Sequence, residues 1–187
     1  SAAGAYYLTG NLSGTFAGIT ISADNVVLDL GGFTMTGNAT GDGISSMARR
    51  NIEIRNGTLQ YWNFGLDLSQ ATQVRLLNLN VLTNNNHGIL LGDDAQVQDC
   101  RACGNAGSGI FAGQRCTIAD SVVSENGATG IDANYNASVI GCRAENNQVG
   151  GIGVNVGGLV QNCIAMNNGL GGSGANIAAG GIPFGNC

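Results

Sequence analysis

Apolar residues recur along the chain in short pairs spaced by two. In one stretch the pairs are Ile89 and Leu91, then Ala95 and Val97, then Cys100 and Ala102. A spacing of two puts both members on one face of an extended strand, so each pair predicts a short strand with one buried side. The step of three from Val97 to Cys100 breaks the alternation and requires a bend at Asp99. The pattern then returns every 21 residues. Val97 and Ala102 are followed at that interval by Ile118 and Val123, Val139 and Ala144, and Val160 and Ala165, and preceded by Leu76 and Val81. Leu30 to Met35 and Ile54 to Leu59 repeat the same strand–bend–strand unit with small insertions between copies, and Phe184 to Cys187 reads as a cut-off eighth copy.

The bend position holds Gly32, Asn56, Asn78, Asp99, Asp120, Gly141, Asn162 and Asn186 in turn. Gly, Asn and Asp are the residues that tolerate the left-handed backbone, so a left-handed corner is predicted at each. Three strands per repeat imply an all-β, three-sided solenoid. Parallel crossovers are right-handed in nearly all cases, which selects a right-handed three-sheet parallel β-helix. The reading is a single domain over 1–187: an N-terminal part-coil at 1–17, stacked coils over 18–175 and a C-terminal part-coil at 176–187. About seven coils of about 21–25 residues, stacked at strand spacing, give a rod on the order of 35 Å long.

Composition sharpens this picture. Gly makes up 32 residues, yet 43% of the chain is hydrophobic and regularly placed, so a core can form. All seven basic residues are arginine and the net charge is −5, which argues against a nucleic-acid partner. No apolar run approaches the roughly 20 residues of a membrane helix, so no membrane insertion is expected. The start, Ser-Ala-Ala-Gly, fits either a mature end after leader cleavage or an arbitrary boundary. Cys100 and Cys103 form a lone C-x-x-C without histidine partners, which does not make a zinc site.

Second-position ladders follow from the register. Asn84, Asn105, Asn126, Asn147 and Asn168 align, and stacked amides can bond from coil to coil. Asn56, Asn78 and Asn162 belong to the bend ladder. Cys100, Cys142 and Cys163 share one inward position, with Ser121 between them and Cys187 extending the stack. They read as small core residues. Cys163 and Cys187 alternatively lie close enough for a disulfide, at about 4.8 Å between aligned Cα atoms.

The repeats, with the opening Tyr6-Tyr-Leu-Thr-Gly-Asn-Leu12 and Val26-Val-Leu-Asp-Leu-Gly-Gly-Phe33, resemble the right-handed β-helix proteins of the pectin-lyase-like superfamily over almost the whole chain. That superfamily includes polysaccharide lyases, hydrolases, epimerases, tailspikes and adhesins, so the resemblance fixes fold more than function. Pectate lyases hold calcium with stacked acids, which makes Asp99 and Asp120 the metal candidates the resemblance implies. Their place in the bend ladder accounts for both without a metal. No cofactor is otherwise expected.

No acid–base set converges in the sequence. Asp67 and Asp132 follow equivalent Gly-Ile or Gly-Leu pairs but are separated by Leu90 and Phe111. Arg101 and Arg143 share an outward register two coils apart, and the sole histidine, His87, reads as an exposed turn residue. Asp93 and Asp94 read as a solvated loop. Tyr61, Trp62 and Phe64 cluster in one loop, as a sugar subsite or a cap over the coil edge. Leu90 and Phe111 form an outward apolar pair that suggests a contact surface. Enzymes of the superfamily usually cover the first coil with a helix, whereas residues 1–17 read as strand and turn. The leading expectation is therefore a non-catalytic, secreted or cell-surface rod, stacking end to end with copies of itself. The alternative is a protein that binds or processes an extracellular glycan along an outer sheet face.

Overall fold

The computed structural model describes residues 2–169 and 176–179. Every strand pairing among them is parallel, and no helix occurs there. The strands form three columns of eight. The first column runs from Gly4–Tyr7 through Val26–Asp29 to Leu159–Gln161. The second runs from Leu12–Ser13 through Thr34–Thr36 to Ile164–Met166. The third runs from Ile19–Ile21 through Ile44–Ser46, Leu66–Leu68, Ile89–Leu91, Ile110–Ala112, Thr129–Ala133 and Gly150–Val154 to Ile177–Ala179. Arg50–Gln60 and Thr72–Leu82 each pass from the first column into the second without losing strand pairing. The result is a solenoid of about eight turns, one more than the repeats suggest. The extra turn comes from the opening segment: Gly4–Tyr7 pairs with Val26–Asp29 and Leu12–Ser13 with Met35 and Thr36.

The core is the stack of inward residues. Ile54, Leu76, Val97, Ile118, Val139 and Val160 superpose from coil to coil, all buried. Each fully buried Val, Leu or Ile contributes about 1.5–3 kcal/mol of transfer free energy. Stacking identical positions lets each coil bury the apolar face its neighbour leaves open.

The bend ladder is left-handed as predicted at Gly32, Asn56, Asn78, Asp99, Asp120, Gly141 and Asn162, with φ between 50° and 80°; Asn186 lies outside the described residues. Two further left-handed ladders mark the other corners. One holds Asn25, Asn51, Gln73, Asp94, Arg115, Asn136 and Gly157; the other holds Ala39, Tyr61, Thr83, Gly104, Glu125, Asn146 and Asn167.

The asparagine ladder is buried and continuous. The Asn126 carboxamide oxygen accepts from the backbone N–H of Asn105 at 3.1 Å and from its Nδ2 at 3.0 Å, while Asn126 Nδ2 donates to Ala102 O and Asn147 Oδ1. The same contacts recur from Asn84 to Asn168, and Asn176 accepts from Asn168 at the far end. The Gly of each Gly-Ile pair makes room for it. A Cβ on Gly109 or Gly130 would lie 2.7 or 2.6 Å from the Nδ2 of Asn126 or Asn147.

Candidate functional site

The outer face of the third column carries Asp67, Leu90, Phe111 and Asp132 on successive coils, in direct register. Asp67 and Asp132 are thus three coil steps apart, about 14 Å, and make no acid pair. The corner just before this column brings in what the sequence reading passed over. Phe64, His87 and Ser108 each precede the glycine of a Gly-Ile or Gly-Leu pair, so they stack on one edge of the face.

His87 is not the exposed turn residue expected. Its ring is half-buried between Phe64, at 5.9 Å between centroids, and Phe111, at 5.5 Å, both tilted by 38°. Its Nδ1 accepts the backbone N–H of Ser108 at 2.9 Å. An accepting Nδ1 carries no proton, so the neutral ring holds its hydrogen on Nε2 as a donor. Gly107 gives the ring its seat, because a Cβ there would lie 2.8 Å from His87 Nδ1. Burial lowers the His87 pKa, and the charge of Asp132 opposes that shift only in part. Burial raises the Asp132 pKa, with His87 in turn pulling it back. The two groups therefore sense each other across Phe111. Leu90 and Phe111, expected as an open apolar pair, are half-buried instead, since His87 covers part of Phe111.

Beyond Asp132 the face opens into a groove of about 220 Å³ lined by Thr129, Asp132, Val149, Gly150, Ile152, Gly153 and Ala178. Gly153 and Ala178 stand in the outward register of Asp132. Small residues at these positions leave the hollow. An aromatic edge, an imidazole donor, a carboxyl group and a groove thus follow one another along a single sheet face.

The loop aromatics separate. Trp62 is fully buried, and its Nε1 donates to Met35 O at 3.1 Å. It occupies the asparagine-ladder place one coil below Asn84, whose Oδ1 accepts the Trp62 backbone N–H at 2.9 Å. It can neither stack on a sugar nor cap the coil edge. Tyr61 is exposed in a left-handed corner, and of the three only Phe64 joins the site.

Asp99 and Asp120 lie in the bend ladder, and no group of three or more His, Cys, Asp or Glu residues gathers among the described residues. Asp93 and Asp94 are paired to Arg115 rather than merely solvated. That guanidinium holds the Asp94 carboxyl below the usual carboxylate range. Arg101 and Arg143 stand two coils apart in register with Val122 between, and Arg143 pairs with Glu145 on its own strand. Cys100, Cys142 and Cys163 are buried free thiols; burial pushes Cys100 up to about 11, and the Cys163 sulfur together with burial raises Cys142. The alternative Cys163–Cys187 bridge lies outside the described residues.

Several solved structures share the coil. The A-module of the Azotobacter vinelandii mannuronan C-5 epimerase AlgE4 superposes with a TM-score of 0.64 at 14% identity, over 92% of this chain and 56% of that one. The pectate lyase Pel9A gives 0.54 at 16% identity, over 90% of this chain and 60% of that one. Both are polysaccharide-processing β-helix enzymes, and this chain spans little more than half the length of either. No curated protein sequence matches the chain. A family model described as a right handed beta helix region matches residues 7–140. With that match covering most of a chain wound in parallel strands from Gly4 onward, the protein belongs to the right-handed β-helix family.

Proposed function

We propose that this protein binds a polysaccharide chain along the outer face of the third column. Phe64, His87 and Phe111 form the contact edge, and Asp132 with its groove forms the continuation. The observation that carries the reading is the seat of His87. The sole histidine of the chain is fixed between two aromatic rings by a backbone N–H, with its Nε2 hydrogen free to donate and a carboxyl group of raised pKa nearby. Sugars are recognised by this combination of a flat apolar face and fixed polar groups. The likeness to two polysaccharide-processing enzymes supports the same class. For a processing step, His87 and Asp132 are the titratable groups on this face, and burial favours the uncharged form of each by lowering the His87 pKa and raising that of Asp132.

Affinity electrophoresis against a panel of acidic and neutral polysaccharides tests this. Retardation by at least one polysaccharide is expected, weakened about tenfold in Phe111→Ala, the loss of one aromatic contact, and unchanged in Val122→Ala on the second column. Equal retardation of wild type and Phe111→Ala, or no retardation by any polysaccharide, would defeat the reading.

A second reading, end-to-end association of a secreted or cell-surface rod, draws on one feature. The interior of the first coil opens as an apolar hollow of about 240 Å³ lined by Tyr6, Tyr7, Leu8, Ile19, Ile21, Val26 and Leu28. Light scattering across a concentration series reads it: growth in mass supports association, and a constant monomer mass rejects it.

A further inference from the structure

We infer that the corner between the third and first columns in the early coils holds a carboxylate-binding pocket centred on Arg49. The pocket, about 320 Å³, is lined by Asp24, Ala48, Arg49, Arg50, Gln70 and Thr72. Asp24 follows the third-column strand Ile19–Ile21, Ala48 to Arg50 follow Ile44–Ser46, and Gln70 to Thr72 follow Leu66–Leu68, so three successive coils form its walls.

Charge distinguishes this corner from the rest of the surface. The chain carries −5 overall, yet two arginines and one aspartate line the pocket. Asp24 is already committed to Arg50. Its Oδ1 accepts the Arg50 backbone N–H at 3.1 Å, and its Oδ2 lies 3.6 Å from Arg50 Nε. Arg55, Arg75, Arg115 and Arg143 each pair with a carboxylate, while Arg101 makes no ion pair with any described residue and reaches the Cys103 sulfur at 3.8 Å. Arg49 makes no ion pair with any described residue. Its Nη1 reaches only Ala48 O, at 3.5 Å.

The second observation is Arg49 Nε. Among the described residues it is the one buried side-chain polar atom with no hydrogen-bond partner. A charged N–H closed off from water without an acceptor is costly, and such groups are uncommon in folded proteins. With Nη1 turned to Ala48, Nε belongs to the opposite edge of the guanidinium, which takes a carboxylate through two parallel hydrogen bonds. A small turn of the half-exposed side chain presents that edge to the pocket, and one carboxylate supplies the acceptor Nε lacks. Gln70 and Thr72 add polar contacts at the rim. The local excess of one positive charge suits a single carboxylate, either of a free small acid or carried on a sugar. The pocket stands apart from His87, and the inference does not depend on the glycan reading.

The test is the arginine Nε–H correlation spectrum of the intact protein, with the Arg49 signal assigned by its absence in Arg49→Gln. Titration with acetate and with glucuronic acid, at constant ionic strength, is expected to move the Arg49 signal saturably, and glucose is expected to leave it in place. Equal affinity for the two acids identifies a site for free carboxylates, and tighter binding of glucuronic acid identifies one for a sugar-borne group. Arg49→Lys, which keeps the charge but loses the fork, is expected to weaken binding about tenfold as read by backbone shifts at Gln70 and Thr72. No saturable shift, an equal shift with chloride, or tighter binding of phosphate than of acetate would overturn the inference. Unchanged backbone spectra of the two variants away from the pocket show that each is folded.

Discussion

Replacing Asn126 by alanine probes how much of the stability of the solenoid resides in its buried amide ladder. Asn126 lies mid-ladder and is fully buried. Its Oδ1 serves two donors of Asn105, and its Nδ2 serves two acceptors, Ala102 O and Asn147 Oδ1. Alanine leaves the Asn105 N–H and one proton of its Nδ2 without acceptors, the other proton still being held by Val81 O. Each stranded buried donor costs about 1–3 kcal/mol, so a loss of about 3–5 kcal/mol is expected after local relaxation. Asn126→Asp separates hydrogen bonding from volume. It keeps the shape but sets a carboxylate oxygen against Ala102 O and Asn147 Oδ1, so at neutral pH it is expected to cost at least as much. Urea unfolding followed both by Trp62 fluorescence and by far-ultraviolet circular dichroism gives the free energy and shows whether the coils unfold together. The exposed control Gln98→Ala is expected within about 0.5 kcal/mol of wild type. A loss below about 1 kcal/mol for Asn126→Ala, or a tolerated aspartate, would refute the reasoning.

Three further predictions concern the site and the core. His87 is the sole histidine, so its nitrogen resonances are unambiguous; the neutral ring is expected with hydrogen on Nε2 and a folded pKa below its ordinary 6.5. The unfolded chain then binds the extra proton as pH falls through 6.5 toward the folded value, so the stability from neutral His87 is present above 6.5 and lost over that window; an Nδ1–H tautomer or a raised pKa contradicts the seat described. Trp62 emission is expected to be blue-shifted and unresponsive to bound polysaccharide, because the ring is inside the coil; a glycan-dependent shift would contradict its placement. In a Cys187→Ser background, a thiol reagent is expected to label native protein at Cys103 alone, since Cys100, Cys116, Cys142 and Cys163 are buried; labelling of a second cysteine before unfolding would contradict that.

The coil was legible because its constraints are narrow. A left-handed corner between two strands leaves little choice beyond Gly, Asn and Asp, and Asn56, Asn78 and Asp99 show that choice directly. The other two corners hid it. Gln73, Arg115, Thr83 and Glu125 adopt the same conformation, because strand pairing above and below imposes it over residue preference. Trp62 misled for a related reason. An aromatic cluster beside a turn suggests an exposed platform, but Trp62 stands 22 residues before Asn84, in the ladder register, and that register places it inside. His87 was obscured by reading each coil separately. Stacking the residues that precede each Gly-Ile or Gly-Leu pair would have aligned it with Phe64 and Ser108, although its contact with Phe111 is diagonal between coils and carries no sequence period. Orphaned Arg49 had no signal at all, since a missing partner is a property of the folded corner.

Amide hydrogen exchange of the protein with and without a mixture of oligosaccharides, read residue by residue, tests most directly whether the third-column face is the binding surface. The expected result is slowed exchange confined to the Phe64–Leu66, His87–Leu90, Ser108–Phe111 and Thr129–Asp132 segments. Protection centred on the outer faces of the first or second column, or none with any oligosaccharide, would contradict it.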